Sequence, residues 1–268
     1  MDLATIGGIG LAVISLVLSF VLDGGSLMAL LQPTAALIVF GGTIGATLTT
    51  VSMGQFLSIG KYVKVAFFNK QMDRLGVIDQ LVDLATIARR EGILALEERG
   101  ADFSDEFLRS GVQLIVDGVD PELVKSMLET ELSFLEARHE VGARMFEAAG
   151  GFAPTMGIIG TVMGLVHVLG SLDNVGSLGP KIAVAFIATL YGVASANIFW
   201  LPVAAKLKLR NEDEILVREI MLEGVLSIQA GENPNVLRQK LQAFLAPTAR
   251  ERKQPAKGGE AEFEAAKA

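Results

Sequence analysis

Four stretches of the chain are almost continuously apolar: Leu3–Leu22, Pro33–Val51, Gly150–Leu172 and Lys181–Ala204. Each has about the 20 residues that a helix needs to cross a bilayer. The pattern between the second and third is different. In MDRLGVIDQLVDLATIARREG, Leu75, Ile78, Leu81, Val82, Ala85 and Ala88 recur on one helical face, and Gly92 is a stop. DPELVKSMLETELSFLEARHEVGARMF opens with Asp120 as N-cap and Pro121 at the first helical position. Leu123, Met127, Leu128, Leu132 and Leu135 follow at helical spacing. No breaker precedes the third apolar stretch, so this helix is expected to run into it. Past the fourth, KLKLRNEDEILVREIMLEGVLSIQ reads as an amphipathic helix ending at Gly231, followed by a short helix from Pro234 to about Leu245. From Pro247 onward, Ala, Lys, Glu, Gly and Pro dominate, the composition of a disordered tail.

The short links 23–32 and 173–180 carry Gly24, Gly25, Gly176, Gly179 and Pro180, turn formers that make hairpins of the first and second stretches and of the third and fourth. No strand-rich region and no repeat period stand out. The pattern therefore predicts an all-α integral membrane protein, four transmembrane helices with a large helical cytoplasmic region between the second and third. Its expected divisions are a transmembrane hairpin at 1–51, a cytoplasmic helical region at 52–149, a second hairpin at 150–204, C-terminal cytoplasmic helices at 205–246 and the tail at 247–268. The apolar faces of the cytoplasmic helices need partners, so those segments are not expected to fold easily as an independent domain.

Composition agrees, with 51% hydrophobic residues and a mean hydropathy of +0.47. Charge adds orientation. Segments 52–149 and 205–268 hold 22 of the 23 Lys and Arg residues, and basic residues mark the side of a membrane that faces the cytoplasm. The large loop and both termini are thus expected in the cytoplasm. The net charge of −7 is no obstacle, because acidic residues count little in that rule. Asp2 and the lack of a basic leader make the first stretch a span rather than a cleaved signal. There is no cysteine, and His139 and His167 stand alone, so no metal centre is expected.

Enzyme signatures are missing. GGTIGAT at 41–47 has glycines but no Lys-Ser/Thr, and it lies inside an apolar stretch, where glycines serve helix packing. Ala153, Gly157, Gly160 and Gly164 form one small-residue face of the third span, and Gly41 and Gly45 repeat the spacing in the second. Thr161 and Thr189 fall roughly 16 and 22 Å above the cytoplasmic boundary at about 1.5 Å per residue. Pro154 and Pro202 lie near that boundary, one on each helix. Spacing alone is equally consistent with threonines that only bond their own helix. The four spans carry no Asp or Glu in their interiors, whereas ion routes through membranes usually need an ionisable group. Any carboxylate on such a route must come from a partner.

These residues resemble the MotA/PomA flagellar stator subunits. PTAALIVFGGTIGATL, LATIARREGILALEE, GGFAPTMGIIGTVMGLV, ATLYGVASANIFWLPVAAKL and EGVLSIQAGENP carry the resemblance, which covers almost the whole chain. It implies a stator subunit that couples proton or sodium flow to torque, with no enzymatic activity, no cofactor and no nucleic-acid partner. It also implies a homo-pentamer around two copies of a MotB/PomB-type single-span subunit that brings the ion-carrying aspartate, in the bacterial inner membrane. The family's functional prolines map onto Pro154 and Pro202. Its charges that meet the rotor switch protein FliG map onto Arg89 or Arg90 and Glu97 or Glu98; by spacing alone these are a solvated helix end. Threonines at the positions of Thr161 and Thr189 occur in sodium-driven members, but Ala188 stands where those members often have a further threonine. The coupling ion, H+ or Na+, stays open.

TolQ/ExbB-like energisers of outer-membrane processes share the two-helix core, but they have three spans and an external N-terminus. The first hairpin and the ARREGILALEE loop favour the stator. A self-contained solute transporter would need a midplane substrate site, usually in broken helices, and the spans offer none beyond Pro154.

Overall fold

The computed structural model describes residues 3–68, 72–100, 103, 105–170, 172 and 175–247. The tail expected over 247–268 falls, past Pro247, outside them. The regular structure of the described residues is all helical, and four helices are long and apolar enough to cross a membrane: Leu3–Leu22, Leu27–Leu48, Pro121–Leu169 and Leu178–Gln229. The predicted fold class is the observed one.

Helix ends follow local chemistry. The Asp120 carboxylate accepts from the Glu122 N–H at 3.0 Å, and Pro121 opens a helix that continues unbroken to Leu169. Asp73 and Asp105 cap Arg74–Glu91 and Glu106–Val116 in the same way. At Gly231, with φ of 69°, the Gly231 N–H reaches the Ile228 carbonyl and the Glu232 N–H reaches Ser227, which closes the last turn of Leu201–Gln229.

Two regular spans contain a wider turn. The second span is α-helical over Pro33–Ala36, π-helical over Leu37–Gly41 and α-helical again over Gly42–Leu48. The fourth runs Val175–Ser195, then a π segment Ala196–Trp200, then Leu201–Gln229 without a gap. Pro202 explains the second case: a proline inside a helix lacks its N–H and crowds the carbonyl four residues back, and a π turn opens room there. The Leu201 N–H accordingly reaches back five residues to the Ala196 carbonyl.

The chain divides into two compact units. The first, residues 1–71 and 135–212, holds the spans together with the helices Met53–Leu57 and Ile59–Phe68. The second, residues 72–134 and 213–268, has its own core, in which Ile78, Leu81, Phe107, Leu108, Leu128, Ile220, Leu237 and Leu241 are almost fully buried. This corrects the expectation that the cytoplasmic segments would not form a domain easily. Their apolar faces find partners in each other, because the loop and the C-terminal helices fold as one body. A second correction concerns the helix from Pro121. Its packed face there is Val124 and Leu128, whereas Leu123 and Met127 are 54% and 47% exposed.

Candidate functional site

The third and fourth spans meet through their backbones. A Cβ at Gly192 would sit 2.5 Å from the Ala153 carbonyl oxygen, and one at Gly157 would sit 2.9 Å from that of Ala188. A Cβ at Gly160 or Gly164 would likewise run into the Cβ of Ala188 or Ala185. The small-residue face Ala153, Gly157, Gly160, Gly164 is therefore the packing seam, as lipid requires where no hydrophobic effect drives helices together. In the second span the contact falls elsewhere than expected. Gly45 has nothing near it and Gly41 only its own Leu37, while Gly42 packs under the Met156 sulfur. The π turn just before Gly42 shifts which residue faces inward.

That close seam brings Thr161 and Thr189 together. Their hydroxyls hydrogen-bond directly, although the residues lie 28 apart in the chain. Thr161 Oγ1 also lies 2.9 Å from the Ala185 carbonyl on the opposite helix and 3.1 Å from the Gly157 carbonyl on its own. One hydroxyl carries one proton, so Thr161 donates to one of these three oxygens at a time, and either hydroxyl can be the donor between the two threonines. The pair is half-buried. Thr161 thus contacts the carbonyl of its own preceding turn and, across the seam, oxygens of the neighbouring helix.

Beside the pair is a cleft of about 400 Å³ among the second, third and fourth spans, lined by Thr34, Ile38, Gly164, His167, Lys181 and Ala185 among others. No acidic residue lines it. Among the described residues no cluster of His, Asp and Glu could hold a metal ion.

The prolines sit in linked surroundings. Gly150 stands four residues before Pro154, where its carbonyl has lost the proline's N–H as a donor. A Cβ there would meet the side chain of Leu201, the neighbour of Pro202, at 2.5 Å. Pro202 itself turns toward the first span and lines a groove of about 460 Å³ with Ala4, Gly8 and Ala12.

Arg89 and Arg90 occupy the last turn of Arg74–Glu91, and Glu97 and Glu98 the first turn of Leu96–Gly100. Each charge complements its helix end. Between them Gly92, with φ of 91°, ends the first of these helices, as the sequence implies. All four side chains are exposed.

Sequence reasoning passed over two residues. Tyr191 donates its hydroxyl to the Leu30 carbonyl and accepts from the Gln32 N–H at 3.2 Å, tying the fourth span to the turn before the second. The signal was available, since a tyrosine inside an apolar span needs a partner for its hydroxyl. Thr34 was read only as part of an apolar run, and no local pattern placed it in the cleft.

Comparison with known proteins decides the family. Residues 100–220 match the MotA/TolQ/ExbB proton channel family, and residues 6–92 match the Motility protein A N-terminal model. The chain is 39% identical over 263 residues to Motility protein A of Bacillus subtilis, covering 98% of this chain and 97% of that one. It is 39% identical over 249 residues to Chemotaxis protein PomA of Vibrio alginolyticus, covering 91% and 96%. The chain belongs to the MotA/PomA family of flagellar stator subunits. Its fold matches the C. jejuni MotAB structure with a TM-score of 0.88 at 33% identity, covering 92% of this chain and 97% of that one. The match to the Bacillus subtilis MotAB stator complex has a TM-score of 0.87 at 38% identity, covering 93% and 99%. With four spanning helices and this kinship, the chain is a multi-pass inner-membrane protein of a channel-forming family.

Proposed function

We propose that five copies of this chain surround two copies of a MotB/PomB-type single-span subunit, and that Thr161 and Thr189 form one wall of the ion route between them. One observation carries the reading: two hydroxyls and a carbonyl converge near mid-depth in spans without an acidic residue. Hydroxyl and carbonyl oxygens suit a dehydrating hard cation, and the same hydroxyls can relay a proton through water. H+ and Na+ both remain open. The charge carrier is the partner's carboxylate.

Pro154 and Pro202 act below the threonines. Each removes a backbone donor near the cytoplasmic end of its span, and the Gly150–Leu201 contact links the two neighbourhoods. Loading or protonation of the partner carboxylate moves these weakened turns, and the unbroken helix Pro121–Leu169 is the covalent path onward. Arg89, Arg90, Glu97 and Glu98 meet the rotor switch protein FliG, and both termini lie in the cytoplasm. The described four-span architecture supports a rotary stator over a TolQ/ExbB-like energiser.

Thr189→Val tests the route, because it removes the hydroxyl at nearly constant volume. The expected result is reduced ion flux in liposomes holding the complex with its partner, and reduced motility. Swimming like wild type at every sodium concentration and pH would show that the hydroxyl serves only the helix seam.

A further inference from the structure

The groove between the first and fourth spans has a graded lining. Thr5 and Lys206 stand toward one end, and Lys206 alone among the described residues that line it is charged. Gly8, Ala12, Pro202 and Ile198 carry the apolar wall onward to Asn197. The Asn197 side chain donates to the Val193 carbonyl at 2.9 Å, so its amide is already engaged by its own helix.

Consecutive spans alternate in direction, so the first and fourth run antiparallel, and Thr5 near the start of one lies beside Lys206 past the apolar stretch of the other. From Lys206 to Asn197 the fourth helix rises about 13 Å, most of the roughly 15 Å of hydrocarbon in one leaflet. The groove is therefore as deep as a leaflet and positively charged at its headgroup end. A Cβ added at Gly8 would meet nothing within 4 Å. The first span buries none of its residues, and Leu11, Ile14, Leu16 and Leu18 are each more than half exposed.

We propose that this groove binds one anionic phospholipid from the leaflet at the Lys206 end, the cytoplasmic leaflet in the orientation proposed above. The headgroup phosphate accepts from the Lys206 ammonium, and one acyl chain lies along Gly8, Pro202, Ala12 and Ile198. An ammonium has three N–H donors, so it serves a phosphate as well as a protein neighbour. Its stem follows the apolar wall while its charge reaches the headgroups. Charge selects this occupant over a span of another copy. The four spans carry no acidic residue in their interiors, so a neighbouring copy brings Lys206 no counter-charge there, whereas a phosphate does. The acyl chain also braces the fourth span beside Pro202, where the helix has lost a backbone donor.

The test uses the complete complex with its partner subunit in phosphatidylcholine nanodiscs. Phosphatidylglycerol or phosphatidylcholine with a photoreactive diazirine midway along one acyl chain is added, and labelled residues are read by mass spectrometry. The groove residues Gly8, Ala12 and Ile198 should label about fivefold more with phosphatidylglycerol, the contribution of one lysine near an anionic headgroup. Ile14 and Leu18, on the opposite side of the first span from Ala12, should label equally with both. Lys206→Gln should remove the groove's preference. Gly8→Leu, which fills open space, should remove groove labelling by both probes. Equal labelling of the groove in the unmodified complex overturns the proposal, and so does a preference that survives Lys206→Gln. A groove that stays unlabelled while Ile14 and Leu18 label is covered by another copy or by the partner subunit, which overturns it too. The results on the unmodified complex need no variant to fold. None of the readouts is an ion flux, so failure of the Thr161–Thr189 route would leave them unchanged.

Discussion

In the membrane unit the third and fourth spans meet backbone to backbone, at Gly157 and Gly192, and the first span buries none of its residues within the chain. In the other unit large side chains do the filling. Its glycines Gly111 and Gly224 leave room for Val225 and Leu81 rather than for a neighbouring main chain. The solvents explain the difference. Water drives Phe107, Leu81 and Ile220 inward at about 25 cal/mol per Å² of apolar surface removed. Lipid gives no such drive, so spans associate through dispersion and hydrogen bonds at close range, which only small residues permit. Ion pairs serve both units. Arg238–Asp79 and Lys240–Glu223, both at 2.5 Å, stitch the second, and Lys208–Glu147 at 2.6 Å joins two helices of the first outside their apolar stretches, while hydroxyl contacts join the spans themselves.

The contrast breaks most clearly at the two kinds of core. Phe107→Ala should cost the second unit about 3–5 kcal/mol, because a rigid aromatic leaves a cavity. Hydrogen exchange on the intact complex should show the loss across Arg74–Glu91 and Glu106–Val116, with the spans little changed. Gly192→Ala should do the reverse. A single methyl 2.5 Å from the Ala153 carbonyl forces the seam apart, at the upper end of the roughly 1–3 kcal/mol typical of overpacking. A lower unfolding temperature in detergent, with unit two still protected from exchange, is the expected outcome. If Gly192→Ala is silent, the backbone seam is not what holds the spans.

A smaller effect is expected at Lys240. The hydrogen bond to Glu223 holds its ammonium above the ordinary lysine value, burial opposes this, and Glu232 adds to it. A raised pKa contributes stability that is fully present below the unfolded value, about 10.4, and is lost as pH rises through the folded one. Stability of the second unit should therefore fall more steeply above about pH 10.4 in the native chain than in Lys240→Met. The side chain is 40% exposed, so the difference should stay within about 1 kcal/mol. Arg90→Glu should change stability least, by roughly 0.3–1 kcal/mol through the helix dipole. It should still impair rotation if the exposed corner meets the rotor. Normal swimming of the double variant Arg89→Glu, Arg90→Glu would remove that role.

Local rules were legible along the chain because their causes are local. Asp120 with Pro121, Gly92, Gly231 and Pro234 announce helix ends within four residues of themselves, and a 3.6-residue period needs no distant partner. The missing carboxylate was legible too, since absence from a span is a property of the sequence alone.

Tertiary structure decided which surfaces meet. Helical periodicity told that Ile78 and Leu81 point inward, but not that residues 72–134 and 213–245 share one core, because the pairing is set by packing between segments distant in sequence. The hydroxyl contact between Thr161 and Thr189 depends on a seam narrow enough for two main chains to touch. The two π turns rotate everything after them by part of a turn. The first of them brings Gly42 rather than Gly41 or Gly45 into the interior. A pattern of apolar letters fixes which residues avoid water. It does not fix the angle at which a helix presents them once its hydrogen bonds slip by one residue.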